Sequence, residues 1–447
     1  MGLLIIKDKL KIIVLVSTFY LPSFLIGQIL VSNNVPIKIN SSAVVCVNGG
    51  VQFSKGELIN NGILQVTKDS NFPNPGDMQI SDSNATSGNG LYKIEQDWIN
   101  NAFFECSNST VELYGNTEQH ITSDIGTSTL FHDLILTGNG ESLNRRKTLQ
   151  NVDCKINNTG TLTLNDRELN TNFQRVLIEN TSPLAITNSL IYQDEGFISS
   201  LSPGFMQWTT ASGHSYTFPV GSSDGTRRYR PVLIQPETNE TNPYQVRFNN
   251  FSSNEDGYSQ TSADKGLFAL NPLFYHTISR YNESSSPVKI GITYVNSFDG
   301  VYSQIAAWHG NENKWKKTTQ NTLNQLGNYN MNTSESWIMT ENYKPYILSD
   351  YHNEVIIFSP NTFIPDGDGL NDVFEVVFSP DGYCDIIDFN VFNRWGELIH
   401  KSSNEATWDG TYKGLKCQDG IYTWTINYKD LILNRNFSTT GHINLLR

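Results

Sequence analysis

Beyond residue 27 the apolar residues of this chain almost nowhere keep a helical period, and short runs of β-formers recur between corners of asparagine and glycine. Asn60-Asn61-Gly62 precedes Ile63-Leu64-Gln65-Val66, Asn108-Ser109 precedes Thr110-Val111-Glu112-Leu113, and Asn157-Asn158-Thr159-Gly160 precedes Thr161-Leu162-Thr163-Leu164. Asn and Gly tolerate positive φ at tight corners, while the β-formers between them alternate toward a shared core. Such units bury no face alone but do so when stacked, so residues 28–190 are expected to form a parallel β-solenoid-like region. The irregular period leaves an antiparallel sandwich open. Turn formation is the role expected of the asparagines, with amide ladders between stacked units as the alternative.

From residue 191 to residue 349 the texture changes and aromatic residues become dense, among them Trp208, Tyr216, Phe218, Tyr229, Phe248, Trp308, Trp315 and Trp337. Runs such as Tyr244-Gln245-Val246-Arg247-Phe248 and Val288 to Tyr294 predict one or two antiparallel sandwich modules. A hydrophilic stretch at 349–354 reads as a linker. Beyond it the alternation is clean: Tyr422, Trp424, Ile426 and Tyr428 fall on one face, and so do Phe389, Val391 and Asn393. The fold class is therefore all-β, ending in a small β-sandwich.

Short motifs stand in a fixed order along residues 353–447. They are Pro360-Asn361-Thr362-Phe363-Ile364-Pro365, then Gly367-Asp368-Gly369 with Asn371-Asp372, then Phe392-Asn393-Arg394-Trp395-Gly396, Trp408-Asp409-Gly410, Tyr422 and a terminal Arg447. This succession resembles the gliding-motility-associated C-terminal domain of Bacteroidetes, the type B sorting domain of the type IX secretion system. The resemblance implies a folded sorting domain, the type IX secretion machinery as partner, and a secreted or outer-membrane cell-surface location. Trp395 and Trp408 lie within the family motif and are expected in its core.

The opposite end agrees with export. Lys7, Lys9 and Lys11 precede an apolar run from Ile12 to Ile26, and Gly27 offers a small residue, the layout of a cleaved signal peptide over 1–27. No later stretch is apolar for long enough to span a bilayer as a helix, so an integral membrane protein is not expected. The net charge of −13 becomes −15 without that segment and its +2, which argues against nucleic acid or an anionic membrane as primary partner. The basic clusters Arg145-Arg146-Lys147 and Arg227-Arg228 with Arg230 read as solvated turns. Five cysteines lack any C-x-x-C spacing, which excludes a zinc ribbon, and Cys384 with Cys417 is a candidate disulfide.

Three kinds of chemistry remain to be weighed. Asp366, Asp368 and Asp372 on a Gly-rich loop are candidate calcium ligands, although Val377 at the twelfth position excludes an EF-hand. No other cofactor is expected. Gly221-Ser222-Ser223-Asp224-Gly225 matches G-x-S-x-G, but Pro231 and a following β-run deny it the helix that a nucleophile elbow needs. A β-helix could host a polysaccharide lyase or hydrolase, with Asp133, Asp153, Asp166 and Glu168 as the acids to inspect. Trp308, Trp315 and Trp337 could stack sugars or pack the core. No catalytic constellation stands out. The expectation is a non-enzymatic adhesive or polysaccharide-binding passenger, with a carbohydrate-active β-helix enzyme as the alternative.

Overall fold

The computed structural model describes residues 30–447, apart from 70–75, 82–85, 127, 239, 283–284, 341–342, 352–354, 380–382 and 432–433. The signal peptide expected over 1–27 lies outside the described residues. Described residues up to Asp264 and from Ala269 to Asp350 make one compact unit; Lys265–Phe268 and Tyr351–Arg447 make a second. Among the described residues no helix is long and apolar enough to cross a membrane.

The first unit begins as stacked turns of chain that revisit the same sheets. Leu30–Asn33, Val51–Lys55, Met78–Ile80 and Trp98–Asn100 open an eight-stranded sheet, while Val44–Asn48, Ile63–Thr67, Leu91–Ile94 and Thr110–Leu113 open another. Ile37–Ile39, Leu58–Asn60 and Thr86–Ser87 form a short third sheet between them. Neighbours within these stacks pair in parallel. Register makes like residues coincide: Leu64, Tyr92, Val111, Leu134 and Leu162 form one column, each at most 1% exposed. The alternating burial of Ile63–Thr67 and Leu91–Ile94 shows why: one side of each strand feeds the core and the other faces out.

The corners perform both roles weighed from the sequence. Asn165 and Asn172 adopt φ of 50° and 53°, the left-handed conformation expected of turn asparagines. Asn60 is fully buried; its Oδ1 accepts from the Gly62 amide at 3.1 Å, and its Nδ2 donates to the Leu91 carbonyl one turn of chain further on, also at 3.1 Å. On the surface, Asn61 Oδ1 accepts from the Asn89 amide and Asn89 Oδ1 accepts from that of Asn108. Glycines stand where successive turns come too close for a side chain, as at Gly160, whose absent Cβ would lie 1.9 Å from the His132 carbonyl oxygen.

The parallel stacking continues past the change of texture near residue 190, through Phe197–Ser199 and Phe205–Thr210. Phe205–Thr210 then pairs antiparallel with Asn242–Asn249, so the same sheet runs on into the aromatic-rich region. A five-stranded antiparallel sheet, beginning with Tyr216–Phe218 and Val232–Pro236, contributes to the same core, which reaches from Ile39 to Leu348. Trp208 sits at this junction, in edge contact with Tyr216 and Phe218 at 5.2 and 5.5 Å.

The basic clusters are not the solvated turns expected of them. Arg146 pairs with the buried Glu168 at 3.1 Å and with Asp224, Arg227 pairs with the buried Glu195, and Arg230 clasps the buried Asp299 at 2.6 and 2.9 Å. Lys147 is wholly buried and donates to the Gly115 carbonyl and to Gln119, and burial lowers its pKa to about 7. Charges this deep persist only with such partners, and those partners come from distant turns of the chain that the sequence did not reveal.

The second unit is built on a five-stranded sheet in the order Thr362–Phe363, Arg435–Leu445, Gly420–Asp430, Cys384–Phe392, Leu398–Ser402. Its core holds Tyr422, Trp424, Ile426, Tyr428, Phe389 and Val391, the faces read from alternation. Cys384 and Cys417 are free thiols, and no disulfide joins them. Cys384 pairs across from Asp430, whereas Cys417 lies three residues before Gly420, the other end of the same strand, so strand rise alone separates them by roughly 30 Å.

Candidate functional site

In the first unit, each of the four acids singled out from sequence has a structural partner. Asp133 accepts from the amide and hydroxyl of Thr161 at 2.9 and 2.7 Å and lies 2.9 Å from His132 Nδ1. Asp153 holds Arg175 through two nitrogens. Glu168 accepts from Ser199 at 2.6 Å beside Arg146. Asp166 is partly buried, which opposes its charge, but the hydrogen bonds and charge of Arg167 outweigh this and hold its pKa below the usual carboxylate value. A polar groove of about 480 Å³ brings Asp166 together with Arg145, Thr163, Asn165, Thr187, Asn188 and Asp194. Arg145 bridges it, 2.8 Å from Asp194 and 4.0 Å from Asp166. Ile191, 69% exposed, adds an apolar edge.

The stacking also assembles a group that sequence reasoning missed. Asp97 donates its amide to Asp77 at 3.0 Å, and Asp97 in turn accepts from the amide of His120 at 2.7 Å and approaches its Nδ1 at 3.2 Å. That contact to Asp97 raises the His120 pKa. The signal was present: Asp77, Asp97 and His120 each stand just ahead of Met78, Trp98 and Ile121, and these three apolar residues pair in register.

The three tryptophans considered for sugar stacking are committed elsewhere. Trp315 is fully buried and Trp308 nearly so, with their rings edge-on at 5.4 Å. Trp337 is half-buried and donates its indole N–H to the Tyr346 hydroxyl at 3.2 Å. Ser223 sits in the hairpin joining Gly221–Ser222 to Arg228–Tyr229, so it occupies a turn, as its flanks implied.

In the second unit the ordered motifs converge from several elements. Phe363 pairs with Leu445 in parallel, and its ring lies 5.4 Å from Trp408, which lies 5.0 Å from Tyr422. Gly410 adopts φ of 75°, and a Cβ there would meet Leu445 at 2.9 Å, Phe363 at 3.2 Å and Pro365 at 3.2 Å. Asp409 caps the same turn through Thr411, and Arg447 donates to the carbonyls of Gly410 and Cys417. Pro360 and Asn361 are exposed, and the Asn361 carbonyl accepts from the Asn444 amide. These residues close the sandwich on itself.

The acidic loop curls through the positive φ of Gly367, Gly369 and Asn371. Asp372 accepts from the amides of Gly367 and Gly369, Asp366 from that of Asp368, and Asp368 from that of Leu370. Carboxylate oxygens of Asp366, Asp368 and Asp372 lie within 4.8 Å of one another, close enough to share one cation, and hard oxygen donors suit calcium. The turn role and the ligand role are compatible in this geometry.

Trp395 departs from expectation. It is 83% exposed, whereas Trp408 is 1% exposed. Asn393 explains the difference: its Oδ1 accepts from the amides of Trp395 and Glu397, and Gly396 at φ of 80° completes a tight turn that carries Trp395 outward. Trp408→Ala should therefore lower the stability of this unit by about 3–5 kcal/mol, and Trp395→Ala should change it by less than about 0.5 kcal/mol. Urea unfolding followed by the circular dichroism of the two variants checks this.

Neither the curated proteins nor the solved structures contain a match to the chain. A family model does match its C-terminal portion, over the strands that build the second unit, and residues 357–445 are a CHU_C Type IX secretion signal domain.

Proposed function

We propose that the chain is a cell-surface or secreted protein exported through its type IX secretion signal domain, and that its first unit is a non-enzymatic adhesive module that binds polysaccharide. The observation that carries the binding reading is the polar groove around Arg145. Hydroxyls of Thr163 and Thr187 and the side chain of Asn188 line it, with Ile191 beside them, which is the mixture of polar and apolar surface a sugar ring requires. Its two acids, Asp166 and Asp194, both pair with Arg145, and the pKa of Asp166 is held below the usual carboxylate value. A carbohydrate-active enzyme would instead need an acid whose pKa is pushed upward, as burial pushes that of Asp77, which lies outside this groove.

The full chain, applied to a panel of soluble and insoluble polysaccharides, is expected to bind at least one polymer without releasing reducing ends. Arg145→Ala is expected to weaken that binding about tenfold or more, the cost of a lost charged hydrogen bond, and Thr163→Val about two- to tenfold, the cost of a neutral one. Release of oligosaccharides would establish the enzyme instead, and binding that both substitutions leave intact would move the site elsewhere.

In this reading the Asp366 loop holds calcium once the protein reaches the outside of the cell. Its melting temperature should then rise on adding calcium and fall in chelator, and Asp368→Asn should abolish the difference. Equal melting in both conditions would leave the loop as a self-bonded turn.

A further inference from the structure

The exposed Trp395 does not stand alone. It lines a groove of about 540 Å³ on the sorting domain, together with Arg394, Leu415, Lys416 and Ile421. Leu415 is 74% exposed and Ile421 65% exposed, so three large apolar side chains face solvent within one concavity. Single exposed apolar residues are ordinary, but a cluster around a rigid tryptophan is characteristic of a binding hot spot. The rigidity is built in. Glu397 receives the Asn393 side-chain amide at 3.0 Å and the Tyr412 hydroxyl at 3.2 Å, tying the turn that presents Trp395 to the next hairpin.

Charge points to the occupant. Residues 357–447 hold twelve Asp and Glu against seven Lys and Arg, yet Arg394 and Lys416 line this groove, where Asp419 is the one acid, and Lys413 and Arg447 contact its lining residues Tyr412 and Cys417. Arg394 lies over the Trp395 ring at 5.8 Å and Lys413 over the Tyr412 ring at 4.9 Å, so both cations rest on aromatic faces. A cationic rim favours an acidic partner and disfavours pairing with the same groove of a second copy.

We propose that this groove is the surface by which the export machinery holds the sorting domain, and that its occupant is an acidic segment of that machinery carrying an aromatic or aliphatic side chain. The apolar side chain seats among Trp395, Leu415 and Ile421, and the carboxylates meet Arg394 and Lys416. This rests on the export reading and adds to it the docking surface and the chemistry of the partner.

The test uses the full chain in the host that makes it, comparing wild type, R394E/K416E, Trp395→Ala and a deletion of residues 353–447. The deletion sets the level of protein outside the cell when no signal is present. R394E/K416E and Trp395→Ala are expected to reduce the exported fraction at least tenfold, with the purified variants melting as wild type does. Export of both variants at the wild-type level, with the deletion retained, would overturn the docking surface and leave the export reading standing. Export of the deletion itself would sink both. A wild-type dimer in sedimentation that R394E/K416E breaks would assign the groove to a second copy and contradict the proposal.

Discussion

The first unit depends on one repeated interaction, the hydrogen bond from a corner asparagine to the backbone of a neighbouring turn of chain. Stacking parallel strands leaves every corner as irregular backbone whose amides and carbonyls need partners. Asn60 meets that need inside the core and spans two turns, accepting from Gly62 and donating to Leu91. Asn165 donates to Leu136 and Asn180 to Gly160, each to the preceding turn of chain. The bond fixes register, and register then aligns the apolar columns and brings Asp77, Asp97 and His120 together. A slip by one residue would turn every column outward.

Much of this was legible from residue types alone. Asn-Gly corners and period-two alternation identify the strands, because positive φ and one-sided burial are local demands. The partners of the buried charges were not legible. Arg230 and Asp299 lie far apart in sequence, and nothing near either announces the other. Trp395 and Trp408 carry similar local signals, yet the first rides an Asn393 turn into solvent while the second packs on Phe363. The two cysteines fail to pair for a reason of distance along one strand, which spacing in sequence cannot express. Motif order at the C-terminus was the most informative signal, because several short fixed segments must coincide to close one small sandwich.

The two units are built differently. The second is compact and cross-braced: Gly410 admits no side chain, and Arg447 ties the chain end to the turn at Gly410. A secretion signal read as a folded object requires such a shape. The first unit spends its polar residues on holding itself together, and Asp133, Asp153, Asp166 and Glu168 face arginines, hydroxyls or backbone amides. Asp166, Glu168 and Asp153 are thus held by Arg145, Arg146 and Arg175.

Amide hydrogen exchange on Asn60→Ala and Asn61→Ala tests the corner-bond account most directly, because a stacked array can open locally without unfolding as a whole. Asn60→Ala leaves the Gly62 amide and the Leu91 carbonyl without their partner, a loss of about 1–3 kcal/mol. Protection in Ile63–Thr67 and Leu91–Ile94 should then fall roughly ten- to a hundredfold, while Asn61→Ala, at the surface, should leave it within about twofold. Equal protection in the two variants would contradict the claim that buried corner amides hold the stack in register.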